Sequence, residues 1–238
     1  MVAAAMIPTL EAAVVRRRGK AILGPLDLSL RKDGITILLG PNGSGKTTLL
    51  RVLHGVERLS GGARHWQGAE EVARARQAYV FQTPTILRRT VRQNLAYPLE
   101  LIRTPKAEVA RATADWAGRI GLTDALDRYA PNLSGGEKQK LALARALIRD
   151  PGVLFLDEPS ANLDGRATRE IESLLLDSYH RGTRIVMATH DLGQARRLAT
   201  EVIFLVGGQL HETGAAPGFF TDPATTAARA FLDGDIVD

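Results

Sequence analysis

Short, continuous runs of apolar residues recur along the chain, and each ends at a glycine or a polar residue. The strongest are Ile35–Leu39, Val153–Leu156 and Arg184–Ala188. Runs of this length are typical of strands that are buried on both faces, as in a parallel sheet. Weaker patterns predict further strands at Thr9–Val15, Leu26–Leu30 and Gln77–Phe81, and a hairpin of Val202–Val206 and Gln209–Glu212.

Helical patterns alternate with these strands. Helices are predicted to begin at Lys46 and to lie at Glu137–Arg149, near 166–179 and near 225–232. The alternation predicts an α/β protein with a mostly parallel sheet. A long helical stretch from Val91 to Arg128 interrupts it and is interpreted as an inserted subdomain, with breaks expected near Pro98, Thr104–Pro105 and Gly121.

The composition is that of an ordinary globular protein: 238 residues, of which 45% are hydrophobic and 24% charged. This length predicts one large domain or two small ones. Cysteine is absent, which excludes disulfides, cysteine nucleophiles and cysteine-bound zinc. Because no apolar run approaches the roughly 20 residues of a membrane-spanning helix, and the first residues lack a leader pattern, we expect a soluble cytoplasmic protein.

The formal net charge of +5 is compatible with binding to a nucleic acid or to a membrane surface. The basic residues are spread along the chain, and the cluster Arg16–Arg18 is too short to act as a basic tail. The distribution favours an ordinary solvated surface.

A glycine-rich segment follows the strand Ile35–Leu39 and fits the pattern G-x-x-x-x-G-K-[ST]. In such a loop, backbone N–H groups point at phosphate oxygens, and the following helix adds the positive end of its dipole. Lys46 is placed to reach the β- and γ-phosphates, and the Thr47 hydroxyl to bind Mg²⁺. The predicted phosphate-binding residues are Gly40, Pro41, Asn42, Gly43, Ser44, Gly45, Lys46, Thr47 and Thr48.

Polar residues that could act on a bound phosphate follow three of the predicted strands. Asp157 is predicted to hold Mg²⁺, directly or through water, and Glu158 to activate the attacking water as a general base. His190 is predicted to reach the γ-phosphate, and Gln82 to contact Mg²⁺ or the attacking water. Ligands of α/β proteins bind at this edge of the sheet, although a solvated strand end is the alternative for each residue.

The segment Leu133–Glu137 comes directly before a long predicted helix. Ser134 is a good N-cap residue, and Gly135 and Gly136 let an anion approach the helix end. An ordinary capped helix is the alternative, because nothing in one chain needs a second anion site. A second molecule would supply the reason for one.

Together these segments resemble the ATP-binding subunit of ATP-binding cassette (ABC) transporters. The resemblance covers about residues 9–235 and implies an α/β P-loop NTPase cassette. This cassette has a mostly parallel core sheet, an N-terminal antiparallel β part and a helical subdomain inserted at about residues 84–135. The motifs that carry it, in the family's order, are Gly40–Thr48, Gln82, Leu133–Glu137, Leu154–Glu158, Ser160–Asp164 and His190.

The resemblance also implies an ATPase that uses ATP and Mg²⁺ together with protein partners. In the family two cassettes pair head to tail, so Ser134, Gly135 and Gly136 would bind the γ-phosphate held by the partner. The helical subdomain would dock on a transmembrane permease at the cytoplasmic face of the membrane, in a system with an extracytoplasmic solute-binding protein. Lys46 and Ser134 are only 88 positions apart, too close for the coiled coil of DNA-repair relatives, and no nucleic acid is expected.

One departure from the family concerns the adenine base. The family stacks the base on an aromatic residue near the N-terminus, but no Phe, Tyr or Trp precedes Trp66. The alignment places Arg17, or Arg18, at the stacking position instead, where a guanidinium could lie flat on the base.

The sequence carries little information about the transported solute. The segments Leu53–Glu57, Val80–Pro84, Leu87–Arg89 and His190–Ala195 are similar to those of importers for tungstate or related oxyanions. A cassette for another solute, such as an amino acid or phosphate, and one that serves an exporter or a cell-division complex are the alternatives.

Overall fold

The computed structural model describes residues 7–66, 68–161 and 163–237. Its strands in these ranges are β1 (Thr9–Arg17), β2 (Lys20–Leu28), β3 (Ile35–Leu39), β4 (Gly61–His65), β5 (Gln77–Val80), β6 (Val153–Asp157), β7 (Arg184–Ala188), β8 (Glu201–Val206) and β9 (Gln209–Ala215). They form a six-stranded sheet in the order β5-β6-β7-β3-β8-β9 and a three-stranded antiparallel sheet in the order β2-β1-β4. In the larger sheet every pairing is parallel except that of β8 with β9.

Helices cover both faces of the six-stranded sheet. Over the described ranges they are α1 (Lys46–His54), α2 (Glu70–Ala75), α3 (Val91–Leu101), α4 (Lys106–Arg119), α5 (Gly135–Leu147), α6 (Gly165–His180), α7 (Leu192–Leu198), α8 (Ala216–Thr221) and α9 (Thr226–Asp233). Two short 3₁₀ turns, Thr123–Ala125 and Ala130–Asn132, connect α4 to α5.

The larger sheet separates two hydrophobic cores. Along β3, the residues Ile37 and Leu39 belong to the core formed with α3 and α5–α9, whereas Leu38 belongs to the core formed with α1 and the smaller sheet. Strands β3, β6 and β7 are buried along their whole length. Burial on both faces explains why each reads as a continuous apolar run rather than as an alternating one.

The predicted antiparallel part near the N-terminus is confirmed, but its second strand is longer than predicted. β2 begins at Lys20 and not at Leu26, because Lys20, Ala21 and Leu23 pair with β1. The hairpin loop is Arg18–Gly19, and both residues have a left-handed backbone, with φ of 50° and 80°. A two-residue hairpin loop of this kind needs positive φ at both positions.

The predicted helix break at Pro98 is wrong. Helix α3 runs through this proline from Val91 to Leu101. Proline removes the donor that the carbonyl of Asn94 would receive. Burial of Val91, Leu95 and Leu99 in the core keeps the helix intact at this cost.

Several short elements have no clear sequence pattern and were not predicted. Strand β4 consists of Gly-Gly-Ala-Arg-His and is defined by its pairing with β1, not by apolar residues. Helices α2, α7 and α8 have six or seven residues each, too few for a helical period to stand out.

Candidate nucleotide-binding site

A cleft of about 530 Å³ lies at the carboxyl ends of β3, β6 and β7. Its volume falls within the range of small-molecule sites, about 300–1,000 Å³. Most of the residues predicted to act on a nucleotide meet here. The lining consists of Ile22, Asn42, Gly43, Ser44, Gly45, Lys46, Thr47, Thr48, Gln82, Glu158, Ala161 and His190.

The glycine-rich loop between β3 and α1 has a backbone that other residues adopt with difficulty. Gly40, Gly43 and Gly45 have φ of 144°, 81° and 97°. A Cβ atom at Gly40 would lie 2.0 Å from the carbonyl oxygen of Leu205, so the loop closes tightly on β8. Gly45 is the N-cap of α1 and supplies no side-chain acceptor, and the first turn contains no acidic residue. The N–H groups at this helix end therefore suit an anion.

Lys46 is buried beneath the loop. Its Nζ atom donates to the carbonyl oxygens of Gly40 and Pro41, at 2.7 Å and 2.9 Å. Burial lowers the pKa of the Lys46 ammonium, while Glu158 and Asp157 act in the opposite direction. The ammonium therefore lies at the phosphate loop, held by acceptors that an incoming phosphate oxygen can replace.

Asp157 faces α1 from the end of β6. Its Oδ1 atom accepts a hydrogen bond from the Thr47 hydroxyl at 2.8 Å, and its Oδ2 atom one from the Tyr79 hydroxyl at 3.4 Å. Burial raises the pKa of the Asp157 carboxyl, whereas the bond from Thr47 lowers it. The hydroxyl and carboxylate oxygens of Thr47 and Asp157 are the ligand type that Mg²⁺ prefers, so this pair fits the metal. In the described ranges no group of three His, Cys, Asp or Glu residues could form an all-protein metal site.

Glu158 contacts two other residues that were predicted to act on the nucleotide. Its Oε2 atom lies 3.0 Å from Nδ1 of His190 and accepts a 3.4 Å bond from Nε2 of Gln82. Its backbone is left-handed, with φ of 47°, and its N–H donates to the carbonyl of Ala188 on β7. Positive φ at a residue other than glycine is strained and is found preferentially at functional sites.

The predicted second anion site lies in a separate groove. Ser134 caps α5: its Oγ accepts from the N–H of Glu137 at 3.3 Å, and the Glu137 carboxylate accepts from the Ser134 N–H at 2.7 Å. This backbone bond lowers the pKa of Glu137. A Cβ atom at Gly135 would meet nothing, so the chain itself leaves that face open. The described residues lining this groove, among them Gly136, include none that line the phosphate-loop cleft.

Arg17 does not line the cleft. It is the last residue of β1, and its guanidinium forms a 3.0 Å ion pair with Glu57. The cleft wall near the N-terminal sheet is instead formed by Ile22 of β2. Neither Ile22, which lines the cleft, nor Tyr79, which contacts Asp157, was predicted as a site residue from the sequence. For Tyr79, the signal in the sequence was its position in the strand that ends before Gln82, three residues upstream of it. Asn162, within the predicted segment Ser160–Asp164, lies outside the described residues.

The fold and this cleft together define a P-loop ATPase. Comparison with known proteins narrows the class: the sequence profile of the ABC transporter family matches residues 23–161, which is more than half of the chain. The chain belongs to the ABC transporter family, and it is an ATP-hydrolysing subunit of a transporter. The predicted family, fold class and enzymatic activity are thereby confirmed.

Its relatives include ATP-binding proteins of several uptake systems. The chain is 36% identical to the phosphate import ATP-binding protein PstB 2 of Natronomonas pharaonis, over 92% of this chain and 84% of the relative. It is 38% identical to the tungstate uptake ATP-binding protein TupC of Peptoclostridium acidaminophilum, over 85% and 94%. It is 35% identical to the methionine import ATP-binding protein MetN of Cereibacter sphaeroides, over 98% and 69%.

Solved structures support the fold. An ATP-binding subunit of an ABC transporter superposes with a TM-score of 0.82 at 21% identity, covering 95% of this chain and 98% of the other. The cbiO1 protein of Clostridium perfringens, part of the ABC transporter complex cbiONQ, superposes with a TM-score of 0.80 at 24% identity, covering 96% and 95%. No helix in the described part of the chain is long and apolar enough to cross a membrane.

Proposed function

We propose that the chain energises the uptake of a solute, tungstate or a related oxyanion, through a separate permease. The meeting of Glu158, His190 and Gln82 beside the phosphate loop carries the proposal that ATP hydrolysis takes place in this cleft. The names of the relatives, which are uptake proteins for phosphate, tungstate and methionine, support import. The choice of oxyanion rests on the similarity in the segments around Gln82 and His190.

In the proposed mechanism, the phosphate loop binds the triphosphate of ATP. The N–H groups at the start of α1 and the Lys46 ammonium neutralise the phosphate charge. Thr47 and Asp157 would hold Mg²⁺, with Gln82 reaching toward the same ion or the attacking water. When bound, Mg²⁺ supplies charge neutralisation of the phosphates.

Glu158 is the proposed general base. Its carboxylate accepts the proton of the attacking water. In the structure Gln82 donates a hydrogen bond to this carboxylate, and Nδ1 of His190 lies 3.0 Å from the same oxygen. Both residues line the cleft as well, so either can contact the γ-phosphate or the water once ATP is bound. Both contacts reach the same oxygen of Glu158, which supports a role for the three side chains around one attacking water.

The groove at Ser134, Gly135 and Gly136 is proposed to act on the nucleotide of a second copy. One chain alone gives these residues no anion to bind, whereas head-to-tail pairing would place them opposite the partner's phosphate loop. The open face at Gly135 supports this pairing. Ile22 of the cleft wall, rather than Arg17, is proposed to lie near the base.

The helical segment at about residues 84–135 is proposed to dock on the permease, which would hold the chain at the cytoplasmic face of the membrane. An extracytoplasmic binding protein would deliver the solute, and no nucleic acid takes part. Because one relative takes up methionine and another phosphate, a cassette for one of these solutes is the second candidate.

Uptake measurements distinguish these candidates. Cells of the source organism that lack the gene are complemented with the wild-type chain or with Glu158→Gln, and uptake of labelled tungstate, phosphate and methionine is followed. We expect the wild-type chain alone to restore tungstate uptake. Restoration of phosphate or methionine uptake instead would assign the second candidate, and restoration of none would remove the importer proposal.

A further inference from the structure

The segment that follows Gln82 is held by two polar side chains from different helices. Gln82 and Thr83 are exposed and follow the end of β5. Only Thr83 and Pro84 separate Gln82 from Thr85, and proline restricts both its own backbone and that of the preceding residue. The position of the Gln82 side chain therefore depends on where Thr85 and the residues after it are fixed.

Asn94 of α3 is fully buried and binds this segment on several sides. Its Oδ1 atom accepts from the N–H of Leu87 at 3.0 Å, and its Nδ2 atom donates to the carbonyls of Leu87 and Thr90 at 3.2 Å and 2.9 Å. A buried amide with this many partners fixes the backbone that it binds, because moving the segment breaks several hydrogen bonds at a site that water does not reach.

Arg145 of α5 binds both Asn94 and the segment after Gln82. Its Nη1 atom donates to Oδ1 of Asn94 at 3.2 Å, and its Nη2 atom donates to the carbonyl of Thr85. One planar guanidinium thus spans Asn94 and Thr85, which lies three residues after Gln82. Helix α5 starts directly after Ser134, so the segment after Gln82 is tied to the helix of the second groove.

We propose that Asn94 and Arg145 are positioning residues for Gln82, which fix the segment Thr85–Thr90 and thereby set where the Gln82 amide meets Glu158. The contact between Gln82 and Glu158 measures 3.4 Å, near the limit of a hydrogen bond, so a small displacement of the segment removes it. The inference rests on the proposed role of Gln82 in hydrolysis. Neither positioning residue lines the cleft.

The test is a double-mutant cycle on the full chain with Gln82→Ala and Arg145→Lys. Lysine keeps the charge, but its single amine cannot replace the two nitrogens that reach Asn94 and Thr85. We expect Arg145→Lys to lower kcat about fivefold or more and to change the KM for ATP less than about twofold. In the double variant kcat should equal that of Gln82→Ala alone, because Arg145 acts through Gln82. Asn94→Asp, which loses the bonds donated by Nδ2 to the carbonyls of the segment, should behave in the same way.

Two controls separate positioning from a loss of stability. Leu198→Ala, a core truncation away from the cleft, lowers the midpoint of thermal unfolding and should leave kcat unchanged. Arg149→Met removes an exposed arginine just beyond α5 and should change neither quantity. The inference would be overturned if the fold-decreases in kcat of Gln82→Ala and Arg145→Lys multiply in the double variant. It would also be overturned if folded Arg145→Lys has an unchanged kcat. In both cases the proposed function stands. An unchanged kcat in Gln82→Ala would instead remove the proposed role of Gln82 itself.

Discussion

The Nδ1 atom of His190 lies 3.0 Å from Oε2 of Glu158, although the two residues are 32 positions apart in the chain. Neighbouring parallel strands bring them together: Asp157 at the end of β6 pairs with Ala188 at the end of β7. The side chain of Glu158 is 15% exposed and that of His190 is 60% exposed. The carboxylate is therefore largely shielded from solvent, while the imidazole, which lines the same cleft, is largely exposed.

This pairing predicts that His190→Ala impairs turnover more than binding. The phosphate loop does not depend on the imidazole, so the affinity for ATP should stay within about threefold, while kcat falls about tenfold or more through the loss of a donor at the reacting centre. Steady-state kinetics and nucleotide titration measure the two effects. His180→Ala, at an exposed histidine at the end of α6, is the matched control. A rise in KM with kcat unchanged would show that His190 only contributes to binding.

The phosphate-loop cleft and the groove at Ser134 are separate in one chain, which predicts that each complete ATP site combines the cleft of one chain with the groove of another. Lys46→Ala and Ser134→Arg should each be inactive alone, because every site of a head-to-tail dimer then carries one lesion. In an equal mixture, a dimer of one chain of each variant has one intact site, because both lesions fall in its second site. We expect ATP-dependent dimerisation to return in the mixture, measured by light scattering or sedimentation. Its failure to return, together with absent ATPase activity, would speak against head-to-tail pairing.

The lack of an N-terminal aromatic residue predicts weak recognition of the base. Arg17 is engaged with Glu57, and an exposed cation–π contact is worth only about 0.5–1 kcal/mol. Arg17→Ala should therefore weaken ATP binding only a few-fold, and ATP and GTP should bind with similar affinity. Titration of both nucleotides on the wild-type chain, Arg17→Ala and Arg18→Ala measures this for the two candidate stacking residues. A preference for ATP of about a hundredfold that survives both substitutions would mean that another element recognises the base.

His54 predicts a loss of stability in mild acid. Burial, followed by the charges of Arg74 and Arg64, lowers the pKa of His54 from 6.5 to about 4. Its ring packs edge-on against Tyr79 and Phe155. Between these pH values the unfolded chain binds more protons than the folded one, so stability falls as the pH drops, by about 2–3 kcal/mol in total.

Chemical unfolding at several pH values tests this account of His54. In His54→Phe, which keeps an aromatic ring but does not titrate, the loss of stability between pH 6.5 and pH 4 should be smaller than in the wild-type chain. Equal pH dependence in the two proteins would show that other groups cause the loss.

The sequence predicted the buried strands and the phosphate loop well, because both depend on local patterns. The predicted strands Ile35–Leu39 and Arg184–Ala188 match the observed ones, because a short apolar run that ends at glycine or polar residues is typical of a buried strand. Strand β4 could not be predicted in this way, because its pairing with β1 is a long-range contact between segments without apolar alternation. Pro98 was misjudged for a related reason: the packing of α3 in the core outweighs the local preference.

The site was predictable as a set of residues but not as a geometry. Their positions after predicted strands and the family resemblance indicated that Gln82, Glu158 and His190 act together. The structure adds that Gln82 and His190 contact the same oxygen of Glu158. Tyr79 escaped prediction, because its contact with Asp157 depends on the neighbouring positions of β5 and β6 in the sheet.

The most direct test of the central claim, that Glu158 is the base of an ATPase, is a comparison of ATP binding and hydrolysis in Glu158→Gln. Glutamine keeps the shape of the side chain and one acceptor oxygen but cannot accept the proton. General-base catalysis contributes about 10²–10⁴-fold to a rate, so kcat should fall by at least about a hundredfold. The affinity for ATP should stay unchanged, and an ATP-bound dimer should accumulate. Hydrolysis at close to the wild-type rate in this variant would contradict the account.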